Sequence, residues 1–209
     1  MNGSGRSGMV GAVMVLLLVA PMAWAAESIV LPRPGQVGLG LQGGYGTLFK
    51  SGEMGGDFGE GPTIAARLRY RMRYERALGL TFENQRHEIR VAEPTVPGPT
   101  PSDPPLPGRT RVNMVLSGLE FYQMFGTRTR TVRMLMIGAG IVQVSGRTGN
   151  NETFYPGDGS FVSAGFGVER FLFRSVALDF STRYMTVFLP DDRAHDVQAA
   201  LGLMFYASY

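Results

Sequence analysis

The sequence predicts an all-β chain: an eight-stranded antiparallel up-and-down β-barrel that crosses a membrane. Three observations carry this reading. Eight segments, each about ten residues or longer, alternate apolar and polar side chains with the period of a strand. The connections between them alternate short and long. One segment places Arg67, Arg69 and Arg71 at successive alternate positions, a face that cannot point at lipid.

The segments are residues 36–49, 63–73, 77–91, 110–125, 132–145, 160–173, 176–189 and 197–209. A tilted membrane strand needs about 9–11 residues, so each is long enough to cross. In the first, Val37, Leu39, Leu41, Tyr45 and Phe49 share one face, with Gly38, Gly40, Gln42, Gly44 and Gly46 on the other. In the second, Ile64, Ala66, Leu68, Tyr70 and Met72 oppose Ala65 and the three arginines. An arginine on the lipid face costs about 2–4 kcal/mol at the bilayer midplane, so these three must face inward. The same alternation puts Glu83, Glu120 and Glu169 inside from the third, fourth and sixth segments. In the fifth, Met134 and Met136 oppose Leu135 and Ile137, and its faces stay open. The seventh sends Leu178, Phe180, Thr182 and Tyr184 out, and Ala177, Asp179, Ser181 and Arg183 in. The eighth has Leu201, Leu203, Phe205 and Tyr209 on one face, and Gln198, Ala200, Gly202, Met204 and Tyr206 on the other.

The interior is then Arg67, Arg69, Arg71 and Arg183 against Glu83, Glu120, Glu169 and Asp179, four positive charges and four negative ones. An eight-stranded barrel is only wide enough for side chains to fill. An ion-paired plug is expected rather than a pore, with each guanidinium fork serving two carboxylate oxygens. Aromatics near the strand ends read as two girdles: Tyr45, Phe49, Tyr184 and Phe188 at the loop side, and Tyr70, Phe121, Phe125, Phe205 and Tyr209 at the turn side.

Connections after the even strands are short, at 74–76, 126–131 and 174–175, and those after the odd strands are long, at 50–62, 92–109, 146–159 and 190–196. The loop at 92–109 carries seven prolines (Pro94, Pro97, Pro99, Pro101, Pro104, Pro105 and Pro107), which removes ladder donors and favours extended chain. It reads as a stiff solvated loop, or as an exposed epitope. An even strand count puts both ends of the barrel on the short-turn side.

Residues 1–26 read as a secretory signal peptide: an apolar run at 9–20, then Pro21-Met22-Ala23-Trp24-Ala25 with small residues at the cleavage point. Residues 27–35 are an N-terminal segment and 36–209 the barrel. The chain has no cysteine and a formal net charge of +3, with no basic-aromatic run of the kind that binds nucleic acid.

Little in the sequence points to chemistry. Only His87 and His195 are available as bases, and neither has a Ser or Thr at close strand spacing. No Cys/His spacing for a metal exists, and Gly43-Gly44 belongs to a strand rather than a phosphate loop. No catalytic, cofactor-binding or metal residues are expected. The acids Glu53, Asp57, Glu60, Asp191, Asp192 and Asp196 read as solvated loop charges, or as holders of a divalent cation beside lipopolysaccharide phosphates. Asn151-Glu152-Thr153 matches a glycosylation acceptor by chance.

The last residues, Leu201-Gly202-Leu203-Met204-Phe205-Tyr206-Ala207-Ser208-Tyr209, resemble the C-terminal assembly signal of bacterial outer-membrane barrels. With the strand count, the loop asymmetry and the alternation, residues 36–209 resemble the small eight-stranded outer-membrane barrels, the class that includes OmpX and the membrane domain of OmpA. The resemblance implies a Gram-negative outer membrane, reached by export and signal cleavage. It implies contact with outer-membrane lipids and lipopolysaccharide, with the barrel-assembly machinery through Leu201, Leu203, Phe205 and Tyr209, and with a surface ligand or protein partner at the loops. Most members of the class are structural or adhesive and a few modify lipids. The deacylases among them pair a His with a Ser two residues on, where this chain has Val197 after His195 and Ile89 after His87. A structural or surface-interaction role leads. A small-solute channel, a periplasmic ligand-binding barrel with its apolar face turned inward, and a lipid-modifying enzyme are the alternatives.

If Glu120 faces the lumen, Glu120→Ala strands a buried guanidinium and lowers the unfolding stability by about 3–5 kcal/mol. Thr182→Ala, on the outer face, changes it by less than about 0.5 kcal/mol. Urea midpoints of the two variants check this, and equal midpoints would return Glu120 to the outside.

Overall fold

The structure is a computed structural model that describes residues 34–51, 58–90, 110–147, 153–190 and 193–207. Eight strands follow one another: β1 (Val37–Ser51), β2 (Phe58–Arg73), β3 (Arg76–Arg90), β4 (Thr110–Phe125), β5 (Thr131–Arg147), β6 (Thr153–Phe171), β7 (Val176–Phe188) and β8 (Arg193–Tyr206). Each pairs antiparallel with the next, and β8 pairs with β1, so the sheet closes. Closure leaves no strand edge unpaired, the requirement for a sheet without water to satisfy its backbone.

The closure is staggered. Starting at Gly38 and crossing through Arg69, Gly79, Glu120, Gly138, Ser163, Met185 and Asp196, the pairing returns to β1 at Leu48, ten positions on (38 to 48). Such a shear tilts the strands and sets the width of the lumen. It leaves inward positions of neighbouring strands side by side in continuous rows.

The pattern is apolar outside and charged inside. Ile64, Leu119, Ile137 and Ile141 stand 69%, 62%, 61% and 62% exposed, while Arg69, Arg71, Glu169 and Asp179 are fully buried. This is the reverse of a soluble ligand-binding barrel, whose apolar face lines the cavity. The expected girdle aromatics Tyr45, Phe49 and Tyr184 face outward near the loop end, and Tyr70, Phe125 and Phe205 do so near the turn end.

Alternation left the faces of β5 open, and the fold decides them. Met134 and Met136 are buried in the lumen, and Leu135 and Ile137 point out. Both faces are apolar because the turn end of the lumen is itself apolar. There Met124, Val132, Met134, Met136, Phe171 and Met204 pack with Tyr122 and Tyr206. Flexible methionine suits such an irregular space.

Several boundaries move. The hairpin of β1 and β2 extends to Ser51 and Phe58, so Gly61 and Pro62, expected in a loop, lie within a strand. β6 starts at Thr153 and β8 at Arg193, well before the expected 160 and 197. Strand pairing continues above the apolar belt, where the hydrophobic alternation that marks a strand in sequence fades. β8 ends at Tyr206 rather than 209. The signal peptide 1–26, most of segment 27–35, the proline-rich stretch 92–109, the acceptor Asn151-Glu152 and Tyr209 lie outside the described residues.

The turns at the other end are tight. Gly126 takes φ 72° after β4 and its carbonyl accepts from the Thr129 amide and hydroxyl, a conformation glycine adopts without strain. Inside the barrel, Gly118 and Gly140 face each other across β4 and β5, and the Phe161 ring lies against them. A Cβ at Gly140 would run into the Ser117 carbonyl oxygen and the Phe161 ring. At Gly43 nothing lies within 4 Å of that position. Gly140→Ala therefore destabilises the barrel by about 1–3 kcal/mol through overpacking, and Gly43→Ala leaves the urea midpoint unchanged or slightly higher. Refolding followed by gel mobility measures both.

Candidate functional site

The most unusual chemistry of the chain sits in the middle of the lumen. β2 delivers Arg67, Arg69 and Arg71 at period two, and β7 delivers Arg183 from the far side. Acids come from β3 (Glu83), β4 (Glu120), β6 (Glu169) and β7 (Asp179). All eight are 0–3% exposed.

Their neighbours explain how they fit. Arg69 lies between Gly38 and Gly79, and Glu120 between Gly79 and Gly138. Arg183 is opposite Gly165, Asp179 opposite Gly202, and Arg67 opposite Gly40. Arg71 faces Ala77, and Glu83 faces Ala65. Nearly every long charged side chain has a small residue beside it in its row. The space at those glycines is taken by the side chains that pack around the charges: Tyr206 and Met204 at Gly38, Tyr122 at Gly79, Ser163 and Glu120 at Gly138, and Met136 at Gly165.

Two linked ion clusters result. Toward the turn end, Arg69 holds Asp179 at 3.0 Å and Glu169 at 3.4 Å, and Arg71 holds Glu169 at 3.1 Å. The Tyr206 hydroxyl donates to Glu169 at 2.5 Å, and the Gln42 amide donates to Asp179 at 2.8 Å. In the middle, Arg183 bridges Glu120, at 3.0 Å, and Glu83. Arg67 approaches Glu120 at 3.8 Å and donates to the Ser181 hydroxyl at 3.4 Å, and Tyr122 donates to Glu120. The Arg69 guanidinium lies 4.3 Å from the centre of the Tyr122 ring and joins the clusters. Arg71 lies 5.3 Å from the centre of the Tyr206 ring. Charge-assisted bonds of this kind gain strength where water is excluded.

Apolar side chains close the network off. The turn-end cluster caps it on one side. On the other, Val112, Met114, Leu116, Val142, Val144, Phe161, Met185 and Val187 line the loop half of β4–β7. The opposite wall of that half is polar: Thr63, Gln85, His87, Asp196 and Gln198, all buried.

That polar wall contains what the sequence reading missed. Asp196, which the sequence suggests is a solvated loop charge or a holder of a divalent cation, is fully buried inside β8. It has the parity of Gln198, Ala200 and Gly202, and extending that alternation by two residues finds it. Among the described residues the interior therefore holds five acids against four arginines rather than a balanced set. Gln85 donates to Glu83 at 2.6 Å and to Asp196 at 3.3 Å, and its carbonyl meets His87 Nε2 at 3.1 Å. Asp196 Oδ1 and His87 Nδ1 have no protein partner. Tyr122, Tyr206 and Gln42 also join the network through inward parity that the charge pattern alone did not flag.

The second histidine is outside. His195 Nδ1 meets the Tyr184 hydroxyl at 2.7 Å and Thr186 Oγ1 at 3.2 Å. Thr186 sits opposite His195 on the neighbouring strand, where spacing along one strand does not look. Among the described residues no group of three or more His, Cys, Asp or Glu is placed to hold a metal. Glu60 is exposed on the outer face, and Glu53, Asp57, Asp191 and Asp192 lie outside the described residues.

No protein-family model and no curated protein matches this sequence. Solved structures do match its fold. Neisserial surface protein A shares 15% identity, with 80% of this chain and 96% of that chain covered and a TM-score of 0.55. Outer membrane protein OprG from Pseudomonas aeruginosa shares 11% over 86% of this chain and all of that one, at 0.52. Ail, the attachment invasion locus protein of Yersinia pestis, shares 14% over 83% of this chain and all of that one, at 0.50. The chain has the closed eight-stranded barrel of small outer-membrane proteins, as the resemblance to the OmpX class implied.

The fifth acid and the paired acids respond oppositely to neutralisation. Asp196→Asn keeps an acceptor for Gln85 and removes a buried acid that makes no ion pair, so the unfolding stability rises by about 1 kcal/mol. Asp179→Asn weakens the hold on Arg69 and lowers stability by about 2–3 kcal/mol. Urea unfolding followed by tryptophan-independent gel shift distinguishes the two signs.

Proposed function

We propose that this chain is a bacterial outer-membrane barrel whose lumen is shut by its own side chains and whose activity resides at its loop end. The observation that carries the reading is the combination of a charged, ion-paired interior with an outer belt of exposed leucine, isoleucine and phenylalanine. A water-facing surface gains nothing from such a belt, whereas a bilayer accepts it and rejects the arginines.

The closed interior favours a structural or surface-interaction role over a channel. Arg69, Arg71, Tyr122, Phe171 and Met204 fill the turn half with no exposed surface to speak of, so a solute path would need the ion clusters to come apart. At the loop end, the outer parts of β2–β5 shape a cavity of about 800 Å³ lined by Glu60, Pro62, His87, Glu88, Arg111 and Arg147. Its mixed charges suit a polar ligand or partner approaching from outside, at the end opposite the short turns.

The His195 constellation does not support a deacylase. Both hydroxyls share the one ring nitrogen Nδ1, and Tyr184 stacks on the imidazole at 5.8 Å. A base must reach one nucleophile and be oriented by a third group on its other nitrogen.

Two measurements test the proposal. In an outer-membrane fraction the protein should run at a different gel mobility with and without boiling, the mark of a detergent-resistant closed barrel; a soluble periplasmic protein with no shift would overturn it. In a planar bilayer the purified barrel should show no stable single-channel conductance, and steady openings would replace the plugged barrel with a channel.

A further inference from the structure

The exposed charges divide between the two ends of the barrel. At the turn end the described residues include Arg73 and Arg76 around the β2–β3 turn, Arg128, Arg130 and Arg133 around the β4–β5 turn, and Arg170 and Arg174 around the β6–β7 turn. Arg130 is half-buried and the other six are exposed; the one acid among them is Glu75. At the loop end, Arg86, Arg111, Arg147 and Arg193 are mixed with Glu60, Glu88 and Asp158, and Arg111 lies 3.5 Å from Glu88. One end is mixed in sign and the other is a basic rim.

The rim sets like charges against each other. Arg73 and Arg76 are direct partners across their turn. Arg133 is opposite Val168 and Arg170 opposite Thr131, which makes the two arginines diagonal neighbours on the outer face of β5 and β6. Like charges placed this way repel and destabilise a sheet. An anion shared between them removes the penalty.

The rim is also apolar. Tyr74 is 55%, Leu172 48% and Phe173 69% exposed at the tips of the same turns, beside Arg73 and Arg174. A residue of strand advances only about 3.3 Å. The arginines thus stand within one or two residues of the apolar belt that Met72, Phe125 and Leu135 end. A site that is anionic and greasy within a few ångströms is the headgroup layer of a membrane, where aromatic side chains and arginines both settle. A soluble acidic polymer would leave Leu172 and Phe173 in water.

We infer that the turn-end arginine rim binds anionic phospholipid headgroups of the inner leaflet, with the phosphate diesters seated between Arg73 and Arg76 and between Arg133 and Arg170. The bound phosphates fix the barrel's depth and direction in the bilayer. This inference rests on the outer-membrane reading above.

The test uses the refolded barrel in vesicles of phosphatidylcholine with and without phosphatidylglycerol. Spin-labelled lipids of each type report which is held at the protein surface. The expected result is a roughly fivefold preference for phosphatidylglycerol, the size of one surface cation's gain near an anionic leaflet, declining as salt is added. A combined Arg73→Gln, Arg76→Gln, Arg133→Gln and Arg170→Gln variant should lose most of it. The matching four Arg→Lys changes should keep it, and Arg193→Gln at the loop end should leave most of it.

A barrel that shows its gel shift in both vesicles but no lipid preference, or a preference insensitive to the four glutamines, overturns the rim and leaves the membrane reading standing. Failure to insert into either vesicle overturns both. Arginine-dependent sedimentation with isolated peptidoglycan, without lipid preference, overturns the headgroup in favour of the wall polymer. Should the glutamine variant fail to fold, the separate pairs Arg73→Gln/Arg76→Gln and Arg133→Gln/Arg170→Gln carry the same reading at half the loss.

Discussion

The lumen of an eight-stranded barrel is no wider than the side chains that fill it, and here it must hold four arginines. That constraint runs through the rest of the structure. Inward positions beside the charges are small: Gly38, Gly79 and Gly138 flank Arg69 and Glu120 in one row, Gly165 and Gly202 sit opposite Arg183 and Asp179, and Tyr206, Tyr122, Met136 and Gln42 pack into the space at Gly38, Gly79, Gly165 and Gly202. The glycines are not there for their backbone freedom, since their strands are regular. They are there because a Cβ would meet a neighbour. At Gly202 it would collide with the Leu41 carbonyl and crowd Gln42, the residue that hydrogen-bonds Asp179.

The same arginines specify the register. A slip of one residue turns every side chain of a strand to the opposite face. For β2 it would carry Arg67, Arg69 and Arg71 to the outside and Ile64 and Leu68 to the lumen. At about 2–4 kcal/mol per arginine in lipid, the three together cost about 6–12 kcal/mol, comparable with the whole stability of a typical domain. The ion pairs need not be strongly stabilising in themselves for this to hold. Buried pairs often do little better than an apolar replacement. Their contribution in this register is to give each inward arginine a carboxylate partner.

Desolvation makes the arrangement strict. The turn-end cluster of Met124, Val132, Met134, Phe171 and Met204, and the loop-half cluster around Leu116, Val142 and Phe161, bracket the ion network. Between them each guanidinium depends on Glu, Asp, Tyr or Ser for its partners. The loop half differs because one wall is apolar and the other carries Gln85, His87, Asp196 and Gln198. The excess acid is therefore placed in the loop half, against the polar wall and away from the sealed turn half.

Much of this was legible beforehand. Alternation and loop asymmetry identified eight strands, and the cost of arginine in lipid assigned the inside of β2, from which Glu83, Glu120, Glu169, Asp179 and Arg183 followed by parity. The fifth strand resisted because Met134 and Leu135 are equally apolar, and periodicity carries no sign when both faces are greasy. Asp196 was lost because strand boundaries are marked by hydrophobic alternation, which stops before hydrogen-bonded pairing does. Thr186 beside His195 and the arginine rim escaped for a shared reason: their members lie on different strands or turns. The chain's own sequence thus determined the inner face wherever a strand's two faces differ in polarity, as in β2 and β7, because burial there is decided residue by residue through the energy of transfer. Which inside residues touch, and which arginines of the rim stand as neighbours, were decided only by the closed sheet. Those depend on register and stagger, which join residues about a hundred positions apart, as in Arg69 to Asp179.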